Sequence, residues 1–271
     1  MGAWFAGERV VYRGRDLFDD LGSLSWMGLL LYGVTGRILD ERQVRLFEGL
    51  WKICMSYPEP RIWNNRVAAL AGAARSTEGL GVGAATAISE AVIYGHRPRM
   101  AAAEFLLNAA AHVDEGRTVD SYLDGVFQKA KTLGHGRPGS GRNRTVSAAA
   151  GYGRPLATED ERIGPMMRLA KDLGFADGRL VRLAFEIEVA LVRRRPEWRM
   201  NAAALNAALT MDQGLTPRQM YQYAIPCFVA GMIPCAIDTV AHEEGTFFPL
   251  SCQRVSYQGV GRRAWDCDTD G

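Results

Sequence analysis

The sequence predicts an all-α protein. Apolar residues recur at helical spacing in one segment after another, several of them rich in alanine. Acids, serines and prolines stand where helices start, and basic runs or prolines where they end. Strand-like alternation is confined to residues 8–16 and to the tail from Phe247 to Tyr257. Roughly ten to twelve helices follow, a large share against the usual third of residues.

Residues 8–16 alternate weakly and suit a short strand or hairpin arm. The turn Asp19-Asp20-Leu21-Gly22-Ser23 comes next, and Ser23 or Ser25 is placed to cap a helix running to about Tyr32. Leu39-Asp40-Glu41-Arg42 opens a second helix, which Tyr57-Pro58-Glu59-Pro60 breaks. The alanine-rich segments 62–74 and 83–94 predict two helices whose small residues let backbones approach closely. Helices follow over 100–113, 119–131, 164–174 and 178–195. The last of these ends in Arg193-Arg194-Arg195-Pro196, cations at a negative helix end and then a stop. Residues 201–211 and 217–238 complete the helical set, with Gln213-Gly214-Leu215-Thr216 as a loop.

Composition narrows the function. The chain has 271 residues, 48% hydrophobic and 23% charged, which is ordinary for a folded soluble protein. A net charge of +2 argues against a nucleic-acid surface. The start carries charges early and shows no secretory or anchoring segment, and the apolar run Trp26 to Tyr32 is far short of the roughly 20 residues that span a bilayer. Neither nucleic acid nor membrane is expected as a partner. Five cysteines with no CxxC pair suit a reduced, cytoplasmic setting. His96 and His112 have no ligand-spaced partner and His242-Glu243-Glu244 lacks the second histidine of a HExxH site, so no metal is expected.

Chemistry gathers in Gly151-Tyr152-Gly153-Arg154-Pro155-Leu156-Ala157-Thr158-Glu159-Asp160-Glu161-Arg162, which follows a glycine- and arginine-rich loop at 134–144. Glycines free backbone amides, and the forked guanidinium donors of Arg137, Arg142, Arg144 and Arg154 suit phosphates or carboxylates. A solvated basic loop is the plainer alternative for the same residues.

Three stretches carry a family resemblance: Leu21 to Ile38, Gly151 to Ile163 and Gly214 to Val240. They resemble the citrate synthase superfamily, and specifically its short citryl-CoA lyase-like form. The middle stretch, similar to the family's GFGHPVYK..DPR loop, is the specific one. The resemblance implies a large helical domain, residues 1–98 with 213–271, interrupted by a small domain, residues 99–212, with ligand-closing loops. It also implies a coenzyme A thioester as possible substrate, no tightly bound cofactor, and homodimerisation through residues 62–94. The family's first histidine then falls at Val82, its second at Arg154, its catalytic aspartate at Ala203 and one arginine at Met232, while Arg162 survives. The implied reaction makes or breaks a carbon–carbon bond beside a carbonyl with a substituted active site. A non-catalytic ligand- or partner-binding relative is the alternative.

On this reading the expected catalytic residues are Arg154, Asp160 and Glu90. Arg162, Arg66, Arg75, Asn65, Asn201 and His135 would bind substrate, and Arg137, Arg142, Arg144, Gly151 and Gly153 would bind coenzyme A. Arg154 would hold an enolate or carboxylate oxygen, because an arginine stays charged and is a poor base. Asp160, Glu90 or His135 would move the proton. The polar residues kept at the inferred cleft, Asn64 among them, favour the enzyme over the non-catalytic relative.

Overall fold

A computed structural model of the chain describes residues 1–91, 95–132, 148–154 and 159–246, together with Gly259 and Gly261. The expected extended tail at 247–257 lies outside these residues.

The chain opens with a small antiparallel sheet of β1 (Gly2–Phe5), β2 (Arg9–Tyr12) and β3 (Arg15–Asp16), in which Gly2 pairs with Tyr12 and Val11 with Asp16. The alternation at 8–16 covers β2 and β3; β1 is an addition that the four residues GAWF do not announce. Arg13 fastens the sheet to the helices, donating to the carbonyls of Tyr32 and Gly33, while the Tyr32 hydroxyl donates back to the Arg13 carbonyl.

The described residues then form eleven α-helices: α1 (Trp26–Thr35), α2 (Glu41–Cys54), α3 (Trp63–Ala73), α4 (Glu78–Ile88), α5 (His96–Asp114), α6 (Val119–Thr132), α7 (Ile163–Asp172), α8 (Arg179–Arg194), α9 (Ala202–Asp212), α10 (Pro217–Ala224) and α11 (Val229–Val240). The all-α class holds. Caps set the starts: Ser25 accepts from the Gly28 amide, Asp40 and Gln43 form a capping box, and so do Thr216 and Gln219. Two helices differ from expectation. α4 begins at the Thr77 cap and ends at Ile88, several residues ahead of the 83–94 segment, because Thr77 satisfies the Leu80 amide. α5 begins at His96, a turn earlier than Met100, since Pro98 falls in its first turn, where its missing N–H costs nothing.

Three apolar clusters hold these elements. The largest joins α2 residues Leu46, Leu50 and Cys54 to α5 through α9, and reaches Met220 and Cys227. A second packs Met27 and Leu31 of α1 against Phe47, Leu215 and Tyr223. The third is built from small residues of α3, α4 and α11, namely Ala68, Ala85 and Ala236, with Met232. Here backbones nearly touch: a side chain at Gly72 would lie 2.3 Å from Thr239 Oγ1 and 2.4 Å from the Ala236 carbonyl.

α10, a 3-10 turn at Ile225–Phe228 and α11 make one helical stretch of 24 residues, Pro217–Val240, whose most apolar window has a mean hydropathy of 1.5. It is long and apolar enough to cross a membrane, and half of its most apolar window is buried inside the protein, as in a core helix.

Candidate functional site

The loop at 148–154 is held by pairing with the chain that enters α9. Tyr152 forms a bridge with Met200, the Gly153 amide donates to the Arg199 carbonyl (2.6 Å), and the Asn201 amide donates to the Gly151 carbonyl (2.9 Å). Gly151 has φ +91°, and a side chain there would lie 2.7 Å from Ala204 Cβ and 3.0 Å from Ala102 Cβ. The glycine is therefore needed where the loop passes between α9 and α5, and its close approach is to protein. Gly153, at φ +79°, accepts from Asn201 Nδ2 (3.1 Å). Both glycines, expected at coenzyme A, are engaged in this pairing.

Asp160 is the hub. Its side chain is fully buried and accepts from Arg162 Nε (2.8 Å) and Nη2 (2.7 Å), from the Arg162 amide (3.1 Å) and from the Ala202 amide at the start of α9 (2.8 Å). Burial alone would raise its pKa; the Arg162 bond and the Ala202 amide outweigh it and hold the carboxyl below the usual range. With both oxygens filled, Asp160 is an anchor that orients Arg162 and caps α9, not a free base. Arg162 keeps 36% side-chain exposure, and its Nη1 has no partner among the described residues. Arg154 donates to the Glu159 carbonyl (2.9 Å) and to Glu161 Oε2 (2.5 Å), and stands 4.0 Å from Asp160 Oδ1. Asn201 caps α9 through the Ala203 amide (2.9 Å), and Ala203 itself supplies no titratable group.

The start of α5 is the second part. His96 is 1% exposed and stacks on Phe228 with ring centroids 4.7 Å apart, while the Tyr221 ring meets it edge-on at 5.8 Å. Neither ring nitrogen has a hydrogen-bond partner of good geometry among the described residues, although the Ile225 backbone lies close enough to oppose the fall in its pKa. Burial, and then the Arg99 charge, push its pKa down to about 4 against an opposing pull from Glu90, so the imidazole is neutral at pH 7. One turn on, the Arg99 guanidinium lies 4.9 Å over the same Phe228 ring and donates to the Cys54 carbonyl (2.9 Å), with Cys227 Sγ at 4.0 Å. Cys54 links the two parts, since the charges of Arg99, Arg162 and Asp160 all act on its thiol. Burial raises the Cys54 pKa and pushes Cys227 up to about 11, so neither supplies a thiolate base at neutral pH. Glu90, expected as a proton carrier, accepts from the Tyr221 hydroxyl at the edge of this group.

Other expected site residues have structural duties. Asn65 is fully buried and pins the 56–59 turn, accepting from Ser56 Oγ and donating to the carbonyls of Tyr57 and Glu59. Arg75 ties α3 to the end of α11 by donating to the carbonyls of Gly72, Thr239 and His242, because helix ends leave carbonyls unpaired. Asn64 bonds Ser89, and Arg66 is exposed on α3. Val82 and Met232 pack together in the α3–α4–α11 cluster, in which none of these arginines takes part. His135, Arg137, Arg142 and Arg144 lie outside the described residues. What sequence reading missed is His96 with Arg99. The signal was there: a helix whose first turn carries His96, Arg97 and Arg99 and no acid runs against the helix dipole.

A groove of about 340 Å³ opens elsewhere, between α4 and α11, lined by Glu78, Gly79, Val82, Ile233 and Ile237. Its mostly apolar lining suits an apolar partner better than a polyanion.

No protein-family model matches the sequence, and no curated protein matches it. The fold does match solved structures. Citryl-CoA lyase from Hydrogenobacter thermophilus superposes with a TM-score of 0.77 at 19% identity, covering 98% of this chain and 95% of that one. ATP citrate lyase from Methanosaeta concilii, solved with (3S)-citryl-CoA, gives 0.70 at 14%, covering 96% of this chain and 41% of that one. Citrate synthase from Thermoplasma acidophilum, solved with carboxymethyl coenzyme A and oxaloacetate, gives 0.62 at 14%, with 90% and 59% covered. The chain therefore has the citrate synthase-like fold, and it covers nearly all of the citryl-CoA lyase but less than two thirds of each of the other two chains.

Proposed function

We propose that this protein is a citrate synthase-like enzyme that makes or breaks a carbon–carbon bond beside a carbonyl in an acyl-CoA or polycarboxylate substrate. The observation that carries the reading is Arg162, gripped in a fork by buried Asp160 at the start of α9 with one edge left for a ligand. A guanidinium held this way meets a carboxylate in fixed geometry. Arg154 stands beside it as a second cation, and Arg137, Arg142 and Arg144 contribute a phosphate-suited sequence for the coenzyme A portion. The fold of structures solved with citryl-CoA or with coenzyme A and citrate supports the thioester as substrate. Proton transfer does not pass through Asp160; His96, neutral and unpaired, is the group with free capacity.

The test is a thiol-release assay with citryl-CoA, beside a thermal-shift screen of coenzyme A thioesters and polycarboxylates. Turnover that Arg162→Gln reduces a hundredfold supports the reading. Full turnover in that variant overturns it. Synthesis of citrate from acetyl-CoA and oxaloacetate is not expected, because Ala203 cannot exchange a proton.

The second reading, a non-catalytic ligand-binding relative, is favoured by that same alanine and by the structural duties of Asn64, Asn65 and Arg75. Ligand binding without turnover of any thioester selects it.

The proposal extends to assembly. The outward face of α4 and α11 exposes Leu80 (71%), Ile88, Ile233 and Ile237 (58%), beside Gly79 and Gly83 with open space around them. A second copy of the chain covers this face. Light scattering is expected to give the dimer mass, and Leu80→Glu with Ile237→Glu the monomer mass. The proposed division is residues 1–98 with 213–271 as the large domain and 99–212 as the small one, with the largest apolar cluster, from α2 to α5–α9, running across the boundary. The free thiols Cys54, Cys227 and Cys235 support a reducing, cytoplasmic setting.

A further inference from the structure

We infer that the start of α5 is a carboxylate-binding subsite, in which Arg99 and His96 hold one carboxylate of the substrate apart from the one held by Arg162. Four observations converge. α5 begins at Gly95 with no side-chain cap and carries no acid in its first turn. The His96 amide donates to the Ser89 carbonyl and Pro98 has no amide, which leaves the Arg97 amide and the helix dipole to favour an anion there. The chain supplies instead three basic residues, an arrangement unfavourable until a negative charge arrives.

Among the described residues Arg99 has no carboxylate partner. The described groups acting on its guanidinium are the two thiols Cys54 and Cys227 and the Tyr223 phenol, none of them a carboxylate. His96 is the independent sign of a ligand. A buried ring whose two nitrogens are unpaired among the described residues gives up hydrogen bonds it would make in water. An oxygen-rich ligand restores them. Both side chains lie against the Phe228 ring, His96 stacked at 4.7 Å and Arg99 over it at 4.9 Å, so that ring sets their positions together.

The choice of a carboxylate over a phosphate rests on the function proposed above. An anion here stabilises the protonated imidazole, so its binding takes up a proton below neutral pH. The other groups bearing on His96 are Arg99 on its own helix, Glu90 beyond α4, and the Tyr221 ring on α10.

The experiment is calorimetric titration of the full chain with citrate, and separately with inorganic phosphate, for wild type, Arg99→Gln and His96→Phe. The phenylalanine keeps the stacking and removes the nitrogens. Citrate affinity is expected to fall at least tenfold in each variant, and the wild-type imidazole NMR signals of His96 to shift as citrate is added. Phosphate is expected to bind at least tenfold more weakly than citrate. Unchanged citrate affinity in both variants, no imidazole shift, or phosphate preferred over citrate overturns the inference. If Arg99→Gln fails to fold, His96→Phe and the imidazole signal decide. Citryl-CoA turnover with unchanged KM in Arg99→Gln overturns this subsite and leaves the proposed function standing. Citrate binding that needs both residues, with no thioester turnover, supports the subsite and sinks the proposed catalysis.

Discussion

α5 and α9 pack against each other with Gly151 between them, and each begins near Cys54, yet their first turns are finished in opposite ways. At α9, Asn201 caps one amide and the buried Asp160 carboxylate takes another, so the positive end of the dipole meets a negative charge from within the chain. At α5 there is neither cap nor acid, and a histidine and two arginines gather there. A helix end completed by its own residues serves the fold; one left incomplete and cationic is fitted for something the chain does not supply. Structural and functional polar groups thus separate by whether their bonds are filled, which residue type alone does not reveal.

The largest test of this contrast is Asp160→Asn. Removing the acid leaves the Arg162 charge without its partner and weakens the α9 cap, so stability is expected to drop by about 3–5 kcal/mol, read from urea denaturation. A loss under about 1 kcal/mol would put α9 on the same footing as α5.

His96 sharpens the other side. Its folded pKa, about 4, lies below the ordinary value of 6.5. The unfolded chain therefore binds the proton first, and the contribution is fully present above pH 6.5 and lost as pH falls toward 4. The difference amounts to about 3 kcal/mol. Melting temperature is expected to fall between pH 6.5 and 4 in wild type and to fall less steeply in His96→Phe. Parallel pH curves for the two proteins would mean that the ring is already paired.

Gly151→Ala acts on both helices at once, through a left-handed backbone and a contact of 2.7 Å with Ala204. A cost of about 2 kcal/mol is expected in the same denaturation experiment. Asn201→Ala is the smallest change, about 1 kcal/mol for one lost cap. If it instead abolished ligand binding while leaving stability alone, α9 would belong with the functional end.

The sequence shows most of this fold, and less of the site. Helical spacing and cap residues such as Ser25 and Asp40 announce their helices because those signals are local. The sequence points to Asp160 and Arg162 separately, one as a proton carrier and the other as a substrate cation; their pairing, which fills both carboxylate oxygens, shows only in the fold. Asn65 and Arg75 mislead because a buried amide and a helix-tying guanidinium look, in sequence, like ligand-binding groups; only their partners at Tyr57 and His242 reveal the duty. His96 reads in sequence only as a metal ligand without a partner, because its stacking partner Phe228 is more than a hundred residues away.

Cys54 and Cys227 turn the inner wall of the site into a clock. One thiol is 4% exposed, the other fully covered, and burial holds both in the slow-reacting protonated form. An alkylating reagent can reach them only when α2 or the turn at Ile225–Phe228 loosens, so the labelling rate at each sulfur counts openings of that wall. Mass spectrometry then times those openings at two addresses of the unaltered protein, and a ligand that seats against Arg99 should lengthen the interval at both.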